Sequence, residues 1–215
     1  MPGQRLKKTA SRADGGGGLL MERKEKKHRK TAETDVSVQW NLDGSGQGDI
    51  DTTVPFLDHM LHLLAAHGRF DITVRAQGDT DVDYHHLVED LGITLGQVLD
   101  KALGDKKGIR RYGSSLVPMD ESLAGVAVDL SGRPFLVFPD TFENMRIRDF
   151  DLGLFRDFFR ALVDQGRITL HVHVLYGSNS HHMIEAVFKA LARALREAVA
   201  RDPGVSGVPS TKGRL

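Results

Sequence analysis

The amino-acid sequence predicts an α+β fold: two copies of one ββαβα unit, each a mixed four-stranded sheet with helices on one face, joined helix to helix. Three observations predict it. Apolar residues switch repeatedly between strand period and helix period along the body of the chain. The same landmarks recur in one order in both halves. At 215 residues and 40% hydrophobic content the chain can bury a core of its own, and no window approaches the roughly 18 apolar residues of a membrane span.

The first 30 residues carry ten Lys/Arg against three Asp/Glu, so the zero net charge of the chain divides into +7 there and −7 in the rest. With a four-glycine run and few apolar residues, 1–30 is expected to be a disordered basic extension. It lacks the apolar stretch of a secretory signal, which makes a cytoplasmic location the expectation. Its lysine run reads as a solvated terminus, and no nucleic-acid or membrane partner is expected.

Glu33 opens the first alternating run, Val36, Val38, Trp40 and Leu42, closed by the turn Asp43-Gly44-Ser45. A first helix carries Phe56 to Leu61 and stops at Gly68. Ile72, Val74 and Ala76 mark the next strand, and Leu91, Leu95, Val98, Leu99 and Ala102 form the stripe of a closing helix. The second copy repeats these features. Glu121 opens Val126, Val128 and Leu130, followed by Ser131-Gly132-Arg133, at an offset of 88; Gly166-Arg167 precedes Leu170, Val172 and Val174 at an offset of 98. About ten residues are therefore inserted between these landmarks in the second copy. Val187, Leu191, Ala194, Leu195 and Ala198 form its closing stripe. The repeats are placed at 31–108 and 109–200, with 203–215 a mobile tail.

With no cysteine, any metal must be held by imidazole and carboxylate. His85-His86-x-x-Glu89 recurs as His181-His182-x-x-Glu185, each at the start of a closing helix. Residues i and i+4 share a helix face, so His85 with Glu89 and His181 with Glu185 can each grip one ion. The second histidine of each pair points about 100° away, which implies two ions fed from several elements. A lone copy reads as a polar helix start answering the helix dipole; recurrence in register makes it a ligand set. His59 joins it from the first helix, while His171 and His173 are expected on the polar face of a strand.

Five ordered segments, Phe56 to Leu61, Asp83 to Asp90, Gly108 to Gly113, Ser180 to Ala186 and Pro209 to Gly213, resemble the imidazoleglycerol-phosphate dehydratases of histidine biosynthesis, the likeness covering 32–215. The resemblance implies a duplicated fold of the ribosomal protein S5 domain 2 type, a dehydratase domain at 31–215, two Mn2+ ions per active site, and a 24-subunit shell with active sites between subunits. The ligands it implies are His59, His85, His86, Glu89, His181, His182 and Glu185. Asp157 stands where the family often has a histidine, and the repeat sets it opposite His59, so it is a further candidate ligand. Glu33, Glu89 and Glu185 are the candidate catalytic carboxylates, with Glu33 the base. His67, Arg111, Arg133, Lys189, Ser210 and Lys212, with Glu33, are the candidate substrate-binding residues, and the tail is expected to order over phosphate. The implied reaction is loss of water from D-erythro-imidazoleglycerol phosphate to give imidazole acetol phosphate, through a metal-bound imidazolate and a diazafulvene. The ligands by themselves also suit a dinuclear hydrolase or a metal-dependent assembly protein.

Overall fold

A computed structural model describes residues 23–213 and 215. The first half runs β1 (Lys24–Lys30), β2 (Thr34–Asn41), β3 (Gly48–Asp51), α1 (Pro55–Gly68), β4 (Asp71–Gly78) and α2 (His85–Leu103). The second runs β5 (Tyr112–Met119), β6 (Ser122–Asp129), β7 (Phe135–Val137), the hairpin β8 (Arg146–Ile147) and β9 (Phe150–Asp151), α3 (Leu154–Gly166), β10 (Thr169–Tyr176) and α4 (Ser180–Val199).

The two sheets have one topology. Their orders are β1-β2-β4-β3 and β5-β6-β10-β7, antiparallel except for the edge strand, β3 or β7, which runs parallel to its neighbour. Gly48 pairs with Ile72 and Leu136 with Leu170, so the offset of 88 persists into these edge strands. The inserted residues therefore lie between β7 and α3, where the β8–β9 hairpin sits.

Inner-face residues alternate along β2 as Thr34, Val36, Val38 and Trp40, all buried. Both predicted helix stripes are buried as well. α2 covers the first sheet and α4 the second, while α1 packs against α4 and α3 against α2, so each half supplies a helix to the other. Glycine makes the second crossing close. A Cβ at Gly92 would stand 2.5 Å from the Phe158 carbonyl oxygen, and one at Gly96 2.6 Å from that of Leu162. Buried Phe155, Phe158 and Phe159 of α3 pack on Phe188 of α4, tying the two helices of the second half together.

The basic extension requires correction, since Lys24–Lys30 is a strand paired along its whole length with β2. Its residues are apolar-poor because it is an edge strand, held by backbone hydrogen bonds and charge rather than by a buried face, and lysines on an edge deter pairing with other chains. Arg29 reaches buried Asp90 on α2, and Arg23 is clamped to Asp43 and to the Val199 carbonyl. The expectation for 1–22 lies outside the described residues. The ββαβα unit also counts three strands per copy rather than four; the strands it leaves out are the outer ones, β1, whose residues read as a charged extension, and β5.

Candidate active site

Pro55 at its first position and Asp58 in its first turn start α1. The Asp58 carboxylate accepts from the Thr52 amide at 2.8 Å, and this start sets His59 on the face toward α4. There it meets the first turns of α4, whose Asn179 cap accepts from the His181 amide at 2.9 Å. The Glu185 carboxylate lies 3.1 Å from His181 Nε2 and 3.4 Å from His59 Nε2. Ligand atoms of His59, His181 and Glu185 all fall within 4.8 Å of one another, the separation of donors around one cation. Glu185 is 8% exposed. Burial opposes its charge, but Lys189, at 2.7 Å, and His59 outweigh burial and hold the carboxyl below its ordinary range. Lys189 thus braces Glu185.

The repeat places Asp157, His85 and Glu89 as the counterparts of these three. Asp157 does reach His85, at 3.7 Å, but Glu89 is exposed and outside the group. Among the described residues His59, His181 and Glu185 alone form a three-donor cluster.

The neighbouring histidines turn to different partners, their ring centroids 6.4 Å apart for His181 and His182 and 6.0 Å for His85 and His86. His182 Nδ1 lies 2.7 Å from Glu121, and His86 Nδ1 lies 3.0 Å from Asp79. These carboxylates raise both histidines above the ordinary imidazole range, and the His182 hydrogen bond holds Glu121 far below the usual carboxylate range. Glu33 sits 3.9 Å from His86 and is 55% exposed. His67, at the far end of α1, is half-buried; burial, then Lys189 and Arg193, pushes its imidazole down. His171 and His173 lie on the open face of β10.

Arg111, Arg133, Ser210 and Lys212 line one cavity of about 440 Å³ with Ser131 and Gly132. Arg111 is already engaged. Its guanidinium grips Asp129 at 2.6 and 3.0 Å and donates to the Pro209 carbonyl at 2.8 Å, so it fastens the tail. Arg133 and Lys212 are exposed there. This cavity lies by the end of α4 remote from the histidines, since the Arg111 amide donates to the Ala198 carbonyl; at 1.5 Å per residue, His181 is about 25 Å away along the helix. A second cavity of about 480 Å³ opens beside the three-donor cluster, between Phe56, Tyr84, His59 and His181. A third cavity, of about 670 Å³, is lined by Arg23, Arg69, Arg196 and Arg201 and touches neither.

Sequence reasoning passed over Asp79, Asp129 and the role of Glu121. Glu121 was visible as a landmark of the repeat; Asp79 and Asp129 carry no periodic signal.

Comparison with known proteins shows which family this chain resembles. Residues 52–195 match the family model for imidazoleglycerol-phosphate dehydratase. The imidazoleglycerol-phosphate dehydratase of Symbiobacterium thermophilum is 58% identical over 92% of this chain and 95% of its own length, and that of Methylorubrum populi 59% over 87% and 96%. Among solved structures, the Staphylococcus aureus dehydratase superposes with a TM-score of 0.74 at 41% identity, covering 83% of this chain and 99% of that one. The Pyrococcus furiosus enzyme, solved with (S)-C348, gives 0.76 at 36% identity, covering 88% and 100%. The chain belongs to the imidazoleglycerol-phosphate dehydratase family.

Proposed function

We propose that this chain is a cytoplasmic enzyme of L-histidine biosynthesis that dehydrates D-erythro-imidazoleglycerol phosphate to imidazole acetol phosphate, using two Mn2+ ions per active site. The observation that carries this reading is the His59, His181 and Glu185 cluster, with ligand atoms within 4.8 Å, in a chain of this family. Imidazole and carboxylate donors without thiolate fit Mn2+. One ion is assigned to that cluster; His85, Asp157 and Glu89, with His86 and His182, are assigned to the other from neighbouring elements.

The proton to be removed sits on a carbon beside a hydroxyl with no adjacent carbonyl, so the imidazole ring must take up charge. Bound cations supply that stabilisation at the ring nitrogens, worth several kcal/mol. The cavity walled by Phe56 and Tyr84 receives the ring beside the donors. Glu33, exposed and without a hydrogen bond to its carboxylate, accepts the carbon proton. Lys189 keeps Glu185 ionised through its 2.7 Å contact. Arg133, Ser210 and Lys212 bind the phosphate, while Arg111 holds the loop that presents the last two.

The ring and phosphate of this substrate are joined by three carbons, far less than the roughly 25 Å of α4 between the two sites. A complete active site then takes donors from one subunit and the phosphate cradle from another, which supports self-assembly, and the family resemblance favours a shell of 24 subunits. The test is dialysis against a chelator followed by a dehydration assay. Activity is expected to vanish and to return on adding Mn2+ alone; full turnover by metal-free protein would refute the proposal.

A further inference from the structure

The duplicated unit carries a glutamate at the residue just before its second strand, Glu33 in the first half and Glu121 in the second, 88 residues apart. The two are employed differently. Glu121 is saturated: its Oε2 lies 2.7 Å from His182 Nδ1, and its Oε1 accepts from the Asn179 amide at 2.8 Å, from Ser122 Oγ at 2.9 Å and from the Ser178 amide at 3.3 Å. Asp120 stands 3.8 Å from His182 Nε2, beyond hydrogen-bond range. In the first half the equivalent histidine, His86, turns its Nδ1 to Asp79 instead, at 3.0 and 3.3 Å, and Glu33 is left at 3.9 Å.

The difference has a source in the chain. Asp79 belongs to the connection 79–84 between β4 and α2, which is two residues longer than its counterpart 177–180 before His181. Those two residues are the drop in repeat offset from 98 at the strands to 96 at the histidines. The Asp79 amide donates to the Glu33 carbonyl at 3.1 Å, tying the longer loop to the Glu33 turn. Beneath it, Thr34 hydrogen-bonds buried Asp90, which Arg29 also grips at 2.8 Å, so the backbone carrying Glu33 is fixed while its carboxylate is not.

We infer that Glu121 and Asp79 are positioning residues that hold His182 and His86 with the proton on Nδ1, so that Nε2 faces the cation, and that Asp79 takes over this duty in the first half so that Glu33 is released as the base. A carboxylate behind a ligating imidazole fixes its tautomer and ring orientation. The duplication supplied two turn glutamates; the longer loop separated their tasks. This inference rests on the proposed reading of the two histidines as ligands and of Glu33 as proton acceptor.

The test measures Mn2+ affinity by equilibrium dialysis and turnover at saturating Mn2+. Glu121→Ala and Asp79→Ala are each expected to weaken Mn2+ by about 10 to 100-fold and to regain most of their turnover when Mn2+ is raised. Glu121→Gln is expected to recover part of the affinity, because its amide oxygen still accepts from Nδ1–H, and it serves where the alanine variant folds poorly. Glu33→Gln is expected to bind Mn2+ as the parent does and to lose turnover about 100-fold or more at any metal concentration. Parent-like Mn2+ affinity in Glu121→Ala and Asp79→Ala, while His182→Ala and His86→Ala are impaired, overturns the inference alone. Equal loss of affinity in Glu33→Gln and Asp79→Ala also overturns it. Parent-like affinity in the two histidine variants removes the ligand reading beneath it.

Discussion

Glu185 shows how a buried carboxylate is kept charged. A carboxylate only 8% exposed would ordinarily favour its neutral form, and Lys189 at 2.7 Å keeps it charged. The counterpart of Lys189 in the first half is Ile93, so this brace belongs to one donor set only. The second set is also altered at Asp157, a carboxylate opposite the imidazole of His59. Asp157→Ala is expected to cost about one bound Mn2+ of two and to leave the His59 cluster loaded, as read by elemental analysis; undiminished metal content would show that Asp157 is no ligand. At the other end of α4, Lys212→Ala should raise KM about 10 to 100-fold, the loss of one charge-assisted hydrogen bond to phosphate, with metal content unchanged. An unaltered KM would remove Lys212 from the phosphate cradle. The histidine pairs were legible in the sequence because duplication repeated a helical spacing. Asp79 was not, because a loop residue has no period, and nothing in the chain before folding links it to His86.

Among elements, β1 and the α2–α3 crossing test the packing account. Gly96→Ala gains helix propensity of up to about 1 kcal/mol but drives a Cβ to 2.6 Å from a carbonyl, and overpacking costs about 1–3 kcal/mol, so a net loss of stability is expected in urea denaturation. Arg23 holds the start of β1, and it depresses the Asp43 carboxyl from its ordinary 3.8. A depressed carboxyl adds stability that is full above 3.8 and is lost as pH falls through its lower folded value. Arg23→Ala is therefore expected to lower stability at pH 7 and to flatten the acid limb of the stability profile below pH 4. An unchanged limb would mean that the pair adds nothing. Strand β1 escaped the sequence reading because Lys-Glu-Lys-Lys-His-Arg-Lys has the composition of a disordered tail. Its order comes from partners 20 and 61 residues away, Asp43 and Asp90, and from the ladder along β2. The closing helices, by contrast, carry their full buried stripe within their own sequence.

At the scale of the whole molecule, two sheets of one topology and their exchanged helices place the His59, His181 and Glu185 cluster at one end of α4 and the cavity lined by Arg111, Arg133, Ser210 and Lys212 at the other. No helix among the described residues is long and apolar enough to cross a membrane. If donors and cradle of one active site come from different subunits, His181→Ala chains, inactive alone, and Lys212→Ala chains, impaired by a raised KM, should recover sites of parent-like KM when co-assembled, because about a quarter of randomly mixed sites keep both residues intact. No recovery in a verified mixed assembly would place each site within one chain. The internal repeat made this plan visible in the sequence, whereas the separation of the two sites emerges only when Arg111 is seen beside Ala198. The central claim, a doubled imidazole and carboxylate grip on two cations, is tested most directly by titrating metal-free protein with Mn2+ and counting bound ions per chain. Two ions per chain, with dehydration rising as they bind, is the expected result; activity without bound metal, or no Mn2+ held at neutral pH, would contradict it.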